Sequence, residues 1–155
     1  MLNSNEWQHS LPEFLTKSQT LLAKAEECLS HLEWFINDRD AIECLLDTLS
    51  TIIDETDALS LESIADFSRH IRHLLELAHP QTCLQGDALS SLRRCFILLA
   101  WQLELVDTGT GMMLLDDHEQ QELLSAFAAI IGLENQRSRF MSDTRWSTAP
   151  NNSNT

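Results

Sequence analysis

Residues 69–73 read Arg-His-Ile-Arg-His, a run of imidazoles and guanidiniums in an otherwise acidic chain. An exposed imidazole can attack a phosphoryl donor, and neighbouring guanidiniums can hold the charge that is transferred. Helical geometry puts Arg69 and His73 at the centre of a solvent face and His70 at its flank. His70 and His73 are therefore the candidate phosphotransfer nucleophiles, with Arg69 and Arg72 as their cationic neighbours. The same stretch offers His70, His73 and Glu76 as metal donors at i, i+3 and i+6. The first two can share an ion, but Glu76 is rotated away, and the Glu-x-x-His pairs of di-iron bundles do not occur. No metal and no cofactor is expected.

The residues after each histidine weaken the phosphotransfer reading. Histidine phosphotransfer domains typically carry a lysine three residues and a glycine four residues after the nucleophile, which lets a response regulator approach closely. Here those positions are His73 and Leu74 for His70, and Glu76 and Leu77 for His73. A phosphotransfer-like bundle, functional or degenerate, stands as an alternative reading by architecture alone. Other strings offer less. Leu105-Val106-Asp107-Thr108-Gly109-Thr110 imitates an aspartic-protease loop, but that chemistry needs two aspartates on β-loops sharing a proton. In a helical chain, Asp107 to Gly111 reads as turn chemistry. Asp54-Glu55-Thr56-Asp57 lacks the glycine and spacing of a calcium loop. No nucleophile elbow or phosphate-binding loop is present, and no enzyme is expected.

Two features point instead to protein partners. Residues 26–66 hold twelve acidic residues against Arg39 alone. Within them Asp40, Glu43, Asp47 and Asp54 share one outer helix face, forming an acidic ridge suited to a basic protein or, as an alternative, to mimicry of nucleic acid. The second feature is a helix apolar on two sides. Leu92, Cys95, Phe96, Leu99, Leu103 and Val106 form one stripe, and Ile97, Leu98, Trp101 and Leu105 another. Such a helix is either central in its own bundle or exposes a second face to a partner, including a second copy of the chain. On the partner reading Leu98, Trp101 and Leu105 supply affinity, while the acidic ridge steers a basic partner; Arg69 and Arg72 complete the contact surface. Trp34, off the first helix's stripe, poses the same question on a smaller scale.

The elements that position these residues are all helical. The 155 residues include 4 Gly and 3 Pro, and an apolar period near 3.6 recurs five times without sustained alternation. Ser10-Leu11-Pro12-Glu13 reads as a capping box that opens a first helix to about Phe35, with Trp7 as its staple. Its apolar positions run from Leu11 to Phe35 and Ile36. Asn37-Asp38 stops it and caps a second helix. Asp57 or Ser60 caps a third, which ends at His79-Pro80. Gly86-Asp87 opens a fourth, and Thr108 to Gly111 turns. Asp116 or Asp117 caps a fifth, ending at Gly132 as C-cap. Short connections imply antiparallel neighbours. The predicted fold is an all-α, up-and-down bundle of about five helices over 10–132, with a lead-in at 1–9 and a disordered tail at 133–155. Arg145-Trp146 is a candidate docking element in that tail.

Composition bounds the rest. With 43% apolar residues, a chain of this length can bury a core without a staple. A formal charge of −14 disfavours direct nucleic-acid binding and anionic membrane surfaces. The longest apolar run is far short of the ~20 residues a membrane span needs. The N-terminus lacks the features of a secretory signal. Cys28, Cys44, Cys83 and Cys95 show no paired spacing and fit reduced thiols. The chain is thus expected to be a small cytoplasmic interaction or regulatory protein, of the adaptor, anti-activator or chaperone type, working by stoichiometric binding.

Overall fold

The computed structural model describes residues 4–78, 84–107 and 117–132, with side chains from residue 9 onward. Four helices are α1 (Ser4–Trp34), α2 (Arg39–Ala58), α3 (Glu62–Ala78) and α4 (Gly86–Glu104). A fifth, α5, covers 118–132. Among the described residues there is no strand. The fold is the all-α up-and-down bundle that the apolar periodicity predicts.

The helix ends follow from a few side chains. Asn37 adopts a φ of 58°, in the left-handed region that asparagine tolerates, and terminates the α1 segment. Asp38 then caps α2, its carboxylate accepting from the Asp40 N–H at 3.0 Å. At the other end of α2 the chain reverses within three residues. The Leu61 N–H donates to the Thr56 carbonyl at 2.8 Å and the Ser60 N–H to that of Asp57 at 3.1 Å. These are the two bonds of a Schellman motif, with Ser60 at φ 60° where glycine is usual. Leu59 and Leu61 are buried on either side of it.

These tight reversals make α1, α2 and α3 antiparallel neighbours, and α4 packs against both α1 and α3 to close a ring. The diagonal pairs, α1 with α3 and α2 with α4, bring no Cα atoms within 8 Å of each other. Lys17 pairs with Glu55 across α1 and α2. Arg93 of α4 pairs with Glu26 and Glu33 of α1, the latter at 2.7 Å. The Asn37 amide oxygen accepts from the Leu84 N–H at 2.9 Å, tying the start of α4 to the α1–α2 turn. Asp117 and Gln120, at the start of α5, meet Ser63 of α3. The core runs through all five helices, with Leu29, Ile42, Leu49, Phe67, Ile71, Leu92, Leu99 and Phe127 fully or almost fully buried. Each such side chain contributes roughly 1.5–3 kcal/mol of burial.

Several boundaries differ from the sequence reading. α1 begins at Ser4, so residues 4–9 belong to it and the Ser10–Glu13 pattern is not a cap. Pro12 sits inside the helix and costs one backbone hydrogen bond. Residues 4–11 contain no glycine and no β-branched residue to oppose helix, so the loss is tolerated. Phe35 and Ile36 lie beyond the last turn and are exposed, because Asn37 ends the helix before they can rejoin the stripe. Asp57 lies inside α2, and Ser60 serves the α2 terminus instead of capping α3. Gly132 has a helical backbone rather than a left-handed one. Trp7's side chain, His79-Pro80, Cys83, the turn at 108–111, Asp116 and the tail at 133–155 with Arg145-Trp146 lie outside the described residues.

Among the described residues, Ser60 is the one exposed position where a side chain occupies a glycine-type conformation at a helix end. Ser60→Gly should stabilise the fold by about 0.5–1 kcal/mol, read as a rise in the urea midpoint at unchanged slope. A fall in the midpoint would show that the reversal does not hold this geometry.

Candidate functional site

The outer face of α4 leaves apolar side chains uncovered, as does the end of α1, where Trp34, Phe35 and Ile36 are exposed. Ile97, Trp101 and Leu105 are 52%, 61% and 51% exposed. Ile97 and Trp101 lie one turn apart, about 40° from each other around the axis. Leu98, counted with them in the sequence reading, is buried instead. It sits on the flank turned away from α1, where it joins Gln102 and Leu99 in the core. The exposed row therefore contains Ile97 in place of Leu98. On the α1 side of the row lies a groove of about 510 Å³, lined mainly by Leu15, Leu22, Phe96, Ile97, Ala100 and Leu103. Glu26 and Glu104 stand among its lining residues.

The charges around this face are unusual for the chain. Among the described residues, every lysine and arginine except Lys24 and Arg94 is in an ion pair with a carboxylate. Arg94 is exposed on the same side of α4 as Ile97 and Trp101, and Glu104, also exposed and without an ion pair, closes the far end of the row.

The acidic ridge on α2 is as expected. Asp40, Glu43, Asp47 and Asp54 are exposed, lie within about 60° of arc and span about 21 Å. Glu43 is paired with Arg39 at 3.0 Å. Their density is low for a nucleic-acid mimic: duplex DNA presents a charge per ~1.7 Å of axis, against four here over about 21 Å. α2 and α4 occupy opposite corners of the ring, so the ridge and the apolar row face different directions. One short partner segment cannot lie on both.

On α3, His70 and His73 are exposed, but the cations that phosphoryl chemistry needs are engaged. Arg69 bonds Asp57 and Asp66, the latter at 2.9 Å. The bond to Asp57 holds its guanidinium above the ordinary value. Arg72 donates to the Ser50 hydroxyl at 2.7 Å and pairs with Glu76. A phosphoryl group on either histidine would have to displace these carboxylates. Arg69 and Arg72 thus tie α3 to α2 through Asp57 and Ser50. Glu76, the third metal donor considered, is held by Arg72, and the described residues contain no cluster of three donors placed to bind an ion.

Cys28 of α1 and Cys44 of α2 meet across the helix pair. Burial, then the hydrogen bond with Cys44, pushes the Cys28 thiol up to about 12. Burial alone pushes Cys95 of α4 up to about 12. Sequence reasoning missed this contact, although antiparallel helices joined by a short turn bring equidistant residues together. It also missed the groove, which depends on the α1–α4 pairing, and the significance of Arg94. No described helix is long and apolar enough to cross a membrane. Compared with known proteins, the chain matches no family model, no curated protein and no solved structure.

The thiols give a chemical check on this geometry. Iodoacetamide should modify native Cys28 and Cys95 far more slowly than an unstructured cysteine. Their rates should keep rising with pH toward about 12 instead of levelling near 9. The stability sign follows from Cys95. Unfolded thiols lose their protons near 9 and folded Cys95 near 12, so stability present below pH 9 declines as pH rises through that interval. Peptide mapping by mass spectrometry and urea melts on either side of pH 9 read both effects. Rapid labelling of native Cys95 at neutral pH would contradict its burial.

Proposed function

We propose that this chain is a non-catalytic, protein-binding bundle of the adaptor, anti-activator or chaperone type, acting by stoichiometric association in a reducing, cytoplasmic setting. The observation that carries the reading is the row of Ile97, Trp101 and Leu105 standing open beside an apolar groove. Isolated apolar side chains on a surface need no explanation. Three in register on one helix, one of them a tryptophan, match the anchors that dominate protein interfaces. The ridge of Asp40, Glu43, Asp47 and Asp54 supports a second contact, with a basic surface. Its charges steer encounter and set specificity more than they add affinity. Because the two surfaces point apart, they serve two contacts: an apolar one on α4 and an electrostatic one on α2.

The test is affinity capture with the tagged full chain at low and moderate salt. It compares wild type, Trp101→Ala with Leu105→Ala, and a ridge variant carrying Asp40→Asn, Glu43→Gln, Asp47→Asn and Asp54→Asn. Both variants should keep wild-type helicity by circular dichroism. The α4 variant should lose association that survives moderate salt, and the ridge variant should lose the salt-sensitive part. Two folded variants that associate as wild type does would sink the reading. Unfolding of the α4 variant would assign its residues to the core.

A further inference from the structure

We propose that the α4 face is a self-association surface, on which a second copy packs antiparallel along α4 about a two-fold axis at residue 99. This rests on the reading of α4 as a binding face and names its occupant. In that register, Ile97 of each copy meets Trp101 of the other, and Arg94 of each lies level with Glu104 of the other.

A two-fold interface uses one patch twice, so each residue must suit the residue related to it by the axis. Arg94 and Glu104 both lie five residues from position 99, about 7.5 Å along the helix on opposite sides. Both are exposed and without an ion pair in a chain whose other described cations, Lys24 apart, are paired. Within one copy they are about 15 Å apart and cannot meet. Across an antiparallel pair they come to one level with opposite sign, twice. A parallel pair would set arginine on arginine and glutamate on glutamate, which is unfavourable. With helices 8–10 Å apart, an arginine side chain spans the remaining gap.

The distribution of charge favours the same face. A formal charge of −14 makes two copies repel at long range. The ridge on α2, however, occupies the corner of the ring diagonal to α4, so this mode of packing turns it outward on both copies. The outward side of α4 carries Asp87, Arg94 and Glu104 as its charges, with Arg93 already engaged by Glu26 and Glu33. It is a face of low net charge compared with the α2 ridge. The dimer then displays two ridges, each free for a basic partner.

Sedimentation equilibrium and light scattering on the full chain, from low micromolar to submillimolar protein, should give a species of twice the 17.6 kDa chain mass. Trp101→Ala should be monomeric at wild-type helicity. Arg94→Glu alone and Glu104→Arg alone should each raise the dissociation constant roughly tenfold, since each sets like charges together twice. An equimolar mixture of those two variants should restore association as a heterodimer, because every pair is then of opposite sign. A wild-type chain that stays monomeric at submillimolar concentration overturns the proposal, as does a dimer indifferent to both charge variants and to Trp101→Ala. If that monomer still captures another protein in a Trp101-dependent way, the binding-face reading survives and the second copy does not. If Trp101-dependent capture is absent too, both fail.

Discussion

Each corner helix of a ring of four antiparallel helices can turn only about half its circumference inward, and that limit decides what this fold leaves on its surface. α2 and α3 respect it: their buried residues occupy one arc, and their outer faces are charged. α4 has apolar side chains over a wider arc than its corner can cover. Leu92, Cys95, Leu99 and Leu103 fill the inner half with Leu98 at one margin, while Ile97, Trp101 and Leu105 remain outside. Had a sixth element or a different ring order covered α4, these residues would have completed the core. Their exposure is a consequence of topology, not of a weakly apolar sequence.

The same ring explains how charge is arranged. Arg69, Arg72, Arg93 and Lys17 join helices that the short reversals have already brought together. Such exposed pairs contribute little stability individually, typically 0–1 kcal/mol. Their larger effect here is to engage most of the described cations, Lys24 and Arg94 apart, which leaves Asp40, Asp47 and Asp54 of the α2 ridge without an ion pair and holds the guanidiniums beside His70 and His73 on carboxylates. A surplus of carboxylates thus shapes what the molecule displays.

Much of this was legible in the sequence, and the failures have specific physical causes. The apolar stripes, the cap at Asp38 and the turn at Asn37 depend on residues near one another in the chain, so local spacing sufficed to place them. The ridge was legible for the same reason. The N-terminus of α1 was misplaced because a serine and a glutamate three residues apart look alike in a cap and in a helix interior. Only the absence of any helix-breaking feature before Pro12 separates the two. Leu98 was misassigned because spacing gives its angle around α4 but not which neighbours flank the helix. The groove, the Cys28–Cys44 contact and the pairing of Arg69 with Asp57 all join separate elements, and sequence periodicity carries no information about which elements adjoin.

The placement of the ridge and the row at opposite corners also bears on how one small bundle can serve two contacts. A single surface combining both would bind one partner with affinity and steering together, and self-association there would compete with that partner. Separated by the ring, the apolar face can be covered permanently while the acidic face stays hydrated and open. Covering it also removes the exposed tryptophan and two isoleucine or leucine neighbours that would otherwise favour nonspecific aggregation. A chain that is strongly acidic on one side and nearly neutral on another therefore has a direction built into it. In the proposed dimer the copies would meet on the less charged face, and the acidic face would be left to basic partners.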